Sequence, residues 1–120
     1  MSVPVDLAVL GALVDELGPE ALLTTITPES TPHVVSVFVT WVDGQLSLGG
    51  GRRTQTNIGL NARVTVIWPR VRAGAYRLIV DGIAALGDDE LLTITPTFAV
   101  LHRIGGIEAD GPTCIPIEPA

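Results

Sequence analysis

Asp43-Gly-Gln-Leu-Ser-Leu-Gly-Gly-Gly-Arg-Arg-Thr-Gln-Thr-Asn-Ile-Gly-Leu-Asn-Ala-Arg-Val-Thr-Val-Ile-Trp-Pro69 is the stretch around which the rest of the chain is organised. Asp43-Gly44 is a two-residue hairpin signal. Gln45–Leu48 returns from it as a strand and ends in three glycines. Those glycines predict backbone at positive φ and close approach to a ligand, with a concave nest of N–H groups that favours anions. A short helical pattern follows from Arg53 to Leu60, and its first free N–H groups face the same point. Arg52 and Arg53 offer charge-assisted hydrogen bonds, and Thr54 and Thr56 offer hydroxyls. On chemistry alone this is a phosphate cradle. It is not a P-loop, since no Gly-Lys-Ser/Thr follows, and the glycine spacing is not that of a dinucleotide fingerprint.

The charge distribution agrees. The chain has seven arginines and no lysine, and six of the arginines lie between Arg52 and Arg77. No acidic residue occurs from Gly44 to Val80, although the net charge is −6. A local positive field therefore sits on an acidic protein, which argues against non-specific nucleic-acid binding. Arg63, Arg70 and Arg72 read as solvated surface charges; Arg52 and Arg53, beside the glycines, read as the anion site.

One hundred and twenty residues, 47% hydrophobic and 17% charged, suit one globular domain. A chain of this size buries only about two-thirds of its unfolded surface, so a partner subunit would help it. One cysteine, Cys114, excludes an internal disulfide framework. Two histidines without metal-ligand spacing make no metal site, and no apolar run spans a bilayer. The N-terminus has no positive n-region, so a cytoplasmic protein is expected.

Taken in order, Pro4 to Leu17 predicts a helix, with Leu10, Leu13, Val14 and Leu17 as its apolar stripe and Gly18-Pro19 as its stop. Ala21–Thr27 and His33–Val42 predict strands around the turn Pro28–Pro32. The second is apolar on both faces, which predicts a barrel interior on one side and a helix or second subunit on the other. Val64–Trp68, Ala75–Leu86 and Leu91–Thr95 are further strands, with a bulge or bend at Gly82. Residues 97–104 fit helix or strand, and 105–120 read as an extended tail, leaving 1–104 as the folded domain. Short strands with frequent turns and little helix predict an all-β, antiparallel barrel.

Four segments together resemble the pyridoxamine-phosphate-oxidase-like, flavin-binding split-barrel superfamily. They are Thr31–Val37, the hairpin Trp41–Leu46, the run Arg52–Ile58 with Asn61–Val66, and Tyr76–Gly82. The resemblance implies a six- or seven-stranded antiparallel split β-barrel of Greek-key-like topology with an N-terminal helix. It also implies a homodimer with FMN bound at the subunit interface. Carried over, Arg53 matches the phosphate-binding arginine, with Arg52 able to compensate for the family's lysine, whose place Thr54 takes. Ser36 and Val37 match positions whose backbone contacts the flavin ring, and Arg77 matches a polar position beside it. The implied function is that of an oxidoreductase acting on a small molecule. The alternatives are a deazaflavin-dependent reductase, or a non-catalytic member that has lost tight flavin binding. His33 and His102 read as structural residues.

Overall fold

A computed structural model describes residues 2–72 and 74–104. The expectations for the tail at 105–120 and for Cys114 lie outside the described residues. Strand β1 is Ser2–Pro4, followed by a 3-10 turn at Leu7–Val9 and helix α1 at Leu10–Leu17. Strands β2 (Glu20–Ile26), β3 (Pro32–Val42) and β4 (Gln45–Gly49) lead to helix α2 (Arg52–Leu60). Strands β5 (Arg63–Ile67), β6 (Arg77–Leu86) and β7 (Leu91–His102) complete the described chain. All pairings are antiparallel. The order β7-β4-β3-β2-β5-β6 closes on itself through β6–β7, giving a six-stranded barrel with β1 added along β7.

The barrel follows from period-2 patterning. Ala21, Leu23 and Thr25 of β2 are buried, as are Val64 and Val66 of β5 and Leu78 and Val80 of β6. Leu46, Leu48, Leu92, Ile94 and Ala99 fill the rest of the interior. The Asp43-Gly44 turn has φ of 50° and 80°, both left-handed, as the expected hairpin requires. At Gly82 the β6–β7 register slips between Asp81 and Gly82. A Cβ there would stand 2.7 Å from the carbonyl oxygen of Thr95, so the expected bulge has a steric cause.

One expectation is corrected, and one open alternative is settled. The N-terminal helix begins at Leu10, not Pro4: Ser2–Pro4 pairs with Val100–His102, and Asp6 caps only the 3-10 turn by accepting from the Ala8 N–H at 2.9 Å. The periodic stripe predicted the buried face but carried no information about the sheet edge that claims residues 2–4. Residues 97–104, left open as helix or strand, continue β7 as far as His102, with Pro96 carried at the register slip opposite Gly82.

The helices close the two ends of the barrel. At the end formed by the start of β2, α1 inserts Leu10, Val14 and Leu17. Gly11 lies so close to the Trp41 indole that a Cβ would stand 2.5 Å from Nε1. Trp68 is fully buried and its Nε1 donates to the Gly18 carbonyl at 2.9 Å, tying β5 to the end of α1. At the other end α2 buries Thr54, Asn57 and Ile58, spaced i, i+3, i+4. Asn57 Nδ2 donates to Thr25 Oγ1 at 3.0 Å and fixes α2 to β2.

Candidate functional site

The site arises where the barrel opens. Strand β3 pairs with β2 along Pro32–Phe38, but with β4 only along Val39–Val42. After Gly49 the chain leaves the sheet and turns into α2. Among the described residues, the first half of β3 therefore has no strand beside it on the β4 side. A cleft of about 310 Å3 fills that gap, lined by His33, Val35, Ser36, Val37, the three glycines Gly49–Gly51, Arg52, Arg53 and Thr54. A second hollow of about 590 Å3 adjoins it, sharing Ser36, Val37 and Gly49 and adding Glu20, Leu22, Phe38 and Pro69. Together they form a trench along β3, donor-rich at one end and apolar at the other.

Five of the seven residues expected at the site line this trench: Ser36, Val37, Arg52, Arg53 and Thr54. Thr56 is exposed on α2 and does not line it. Arg77, expected beside a ring, starts β6, where its Nε donates to the Pro69 carbonyl at 3.2 Å. It meets the trench only through Pro69. Thr54 is 2% exposed, with its methyl group against Gly50, so little more than its edge faces the cleft. Arg52 and Arg53 are exposed and pair with no carboxylate among the described residues. Of the arginines read as surface charges, Arg72 binds Glu16 at 2.8 Å, and Arg63 and Arg70 are exposed.

The glycines work differently from expectation. None of Gly49–Gly51 has positive φ, so no left-handed nest forms. Gly50 is tightly packed: a Cβ would stand 2.7 Å from Leu92 Cδ1 and 3.2 Å from Thr54 Cγ2. At Gly49 and Gly51 a Cβ would meet no protein atom within 4 Å. Neither backbone conformation nor packing demands glycine at these two positions, and both border the cleft. What glycine provides there is room. Gly51 caps α2 without any side-chain hydrogen bond, which leaves the first N–H groups of the helix pointing outward. The Gln55 amide stiffens the turn by donating to the Gly50 carbonyl at 2.8 Å.

A phosphate-bearing group fits these residues. The cleft lining contains no carboxylate, two guanidinium groups, an uncapped helix start and two glycines that leave space. His33 also lines the cleft, although its ring Nδ1 is closed off from solvent and has no hydrogen-bond partner in the chain. His33 is partly exposed at the start of β3, as its place after Pro32 predicts. Its register partner, Thr25, is buried, and no local pattern shows that.

No protein-family model matches the chain, and no curated protein matches it significantly. Solved structures do. A candidate pyridoxamine 5'-phosphate oxidase from Listeria innocua superimposes with a TM-score of 0.66 at 16% identity, over 79% of this chain and 96% of the other. The chain has the pyridoxamine-phosphate-oxidase-like split-barrel fold. A FAD-binding protein from Mesorhizobium loti aligns at TM-score 0.65 and 13% identity, covering 86% of this chain and 98% of its own. An F420 reductase aligns at 0.56 and 17% identity, over 68% and 88%. These identities speak for the split barrel alone. No helix among the described residues is long and apolar enough to cross a membrane.

Proposed function

We propose that the trench along β3 binds a flavin-type nucleotide, FMN in the first place, and that the protein is an oxidoreductase acting on a small molecule. The observation that carries this reading is the coincidence of two features on one seam of the barrel. Gly49–Thr54 form a donor-rich pocket free of carboxylates, and the pocket runs directly into an apolar hollow beside Leu22, Val37 and Phe38. A phosphate suits the first and a planar ring the second.

Each residue then has a task. Arg53, with Arg52 and the N–H groups at the start of α2, holds the phosphate. Gly49 and Gly51 leave space for the chain between phosphate and ring. Leu22 and Phe38, which share the outer face of the sheet, line the apolar hollow, and Ser36 on the same face offers a hydroxyl at the junction of the two pockets. The bound flavin would supply hydride or electron transfer, while the protein supplies position and field. A deazaflavin coenzyme is a close variant, because ring and phosphate would occupy the same two pockets; one of the structural neighbours is an F420 reductase. A non-catalytic member is the competing reading, favoured by Thr54, a nearly buried hydroxyl where the family has a basic side chain.

The same reading takes the working unit as a homodimer. Phe38 is 71% exposed in the middle of β3, flanked by exposed Val34 and Val42 on the same outer face. Among the described residues no helix covers that face, which leaves a second copy as the cover the two-sided strand calls for.

The test is a thermal-shift screen of the purified protein against FMN, FAD, riboflavin and a deazaflavin coenzyme, with absorption spectra. A phosphate-bearing flavin or deazaflavin is expected to raise Tm, since a ligand that binds only the folded state stabilises it. A bound flavin spectrum that bleaches on adding reduced nicotinamide supports the oxidoreductase. A colourless protein with no shift for any of the four supports the non-catalytic reading.

A further inference from the structure

Of the described residues that line the 590 Å3 hollow, Glu20 alone is charged. Across the β2–β3 ladder Glu20 stands opposite Phe38, as Leu22 stands opposite Ser36. Ala21 and Leu23 are buried in the barrel, so strand alternation turns Glu20 and Leu22 to the outer face. Glu20 is exposed there, on the face that carries Phe38. Among the described residues its carboxylate has no hydrogen-bond or ion-pair partner. Two arginines adjoin Pro69, at the rim: Arg70 follows it in the chain, and Arg77 Nε donates to its carbonyl at 3.2 Å. Neither lines the hollow.

The trench is therefore polarised. The end at Gly49–Thr54 holds Arg52 and Arg53 and no carboxylate, and the other end holds a carboxylate and no cation. Ser36 lies where the two pockets meet, and Phe38, opposite Glu20, is two residues further along β3, roughly 7 Å at strand spacing. Charge that lines a cleft with apolar walls acts on a ligand with less screening than charge on open surface, and a like charge brought against it is penalised. The phosphate goes to the cationic end and the ring lies next to Ser36 and Gly49, which leaves the end at Glu20 and Phe38 to the substrate. There an apolar wall meets one negative charge. We propose that Glu20 selects the substrate by charge: the hollow takes a small molecule with an apolar body and a positively charged nitrogen, and rejects one that is anionic at that end. The inference rests on the flavin-nucleotide reading of the trench and adds the substrate class to it.

The experiment titrates benzylamine, benzyl alcohol and benzoate into FMN-loaded wild type and Glu20→Gln, following the flavin absorption band, with sedimentation of both proteins alongside. The three probes share one ring and differ in charge, and glutamine keeps the size of Glu20 without its charge. Wild type is expected to bind the benzylammonium ion roughly three- to fivefold more tightly than benzyl alcohol, the worth of a solvent-accessible charge pair. Benzoate should bind more weakly than the alcohol. In Glu20→Gln the amine and benzoate should come within about twofold of the alcohol, and the alcohol itself should bind as it does to wild type. The preference of wild type for the amine should shrink as salt is raised. Wild type that takes up FMN but binds none of the probes, or binds all three alike, overturns the proposal, as does a preference that survives in Glu20→Gln. Equal weakening of amine and alcohol in that variant, or a changed oligomeric state, makes Glu20 a structural residue and overturns it too. Wild type that takes up no FMN overturns the reading of the trench itself, and this inference with it.

Discussion

At Gly49 the side chain of an ordinary residue would touch nothing in the protein. The backbone is not left-handed there, and the position is exposed at the end of β4. Gly49→Ala should therefore leave stability within about 0.5 kcal/mol of wild type. The methyl group would stand at the junction of the two pockets, so FMN affinity is expected to fall severalfold or more. Calorimetric melting and a binding titration on one sample check both halves; a variant that loses stability but not affinity would make Gly49 a structural residue. Part of this scale is legible in sequence. Arg52 and Arg53 are legible from their place beside the glycines, Ser36 and Val37 only through the family resemblance, and all four line the trench. The reason assigned to the glycines was wrong, because φ angles depend on how β4 leaves the sheet. Asn57 was not marked, because its importance comes from burial against Thr25, a residue about thirty positions away.

At the scale of elements, period-2 alternation and turn chemistry located every barrel strand, and all but the far end of β7 within a few residues. These are local properties, and the chain obeys them. The exceptions are set by partners. Ser2–Pro4 becomes a strand because β7 offers an edge beyond the end of β4, which covers only Leu91–Ile94. Residues 97–102 extend β7 because β6 runs beside them for its whole length. That long β6–β7 ladder depends on the bulge at Gly82. A Cβ there would meet Ile94 Cγ2 at 2.6 Å and the Thr95 backbone oxygen at 2.7 Å, and backbone cannot step aside as a side-chain tip can. Gly82→Ala is expected to cost about 2–3 kcal/mol, seen as a drop in Tm of roughly 10 °C. Gly50→Ala meets only side-chain atoms, of Leu92 and Thr54, and should cost less. Equal melting temperatures for the two variants would contradict this ordering.

At the scale of the whole molecule, the described residues complete the barrel interior, but none of them covers the outer face of β3 at Val34, Phe38 and Val42. If a second copy covers it, Phe38→Glu should shift the protein from dimer to monomer in sedimentation at micromolar concentration, while the barrel, which does not use this side chain, keeps its secondary structure. A wild type that sediments as a monomer would remove the dimer from the account. The central claim is narrower: the seam between β3 and β4 holds a nucleotide by its phosphate, through Arg53. Titration of FMN and riboflavin into wild type and Arg53→Ala tests it most directly, with Arg63→Ala as the control on the far side of β2. Loss of a charge-assisted contact is worth about 1.5–3 kcal/mol, so Arg53→Ala should bind FMN roughly ten- to a hundredfold more weakly. Riboflavin binding, and FMN binding to Arg63→Ala, should stay near wild type. An Arg53→Ala variant that binds FMN as tightly as wild type, or loses FMN and riboflavin equally, would contradict the account.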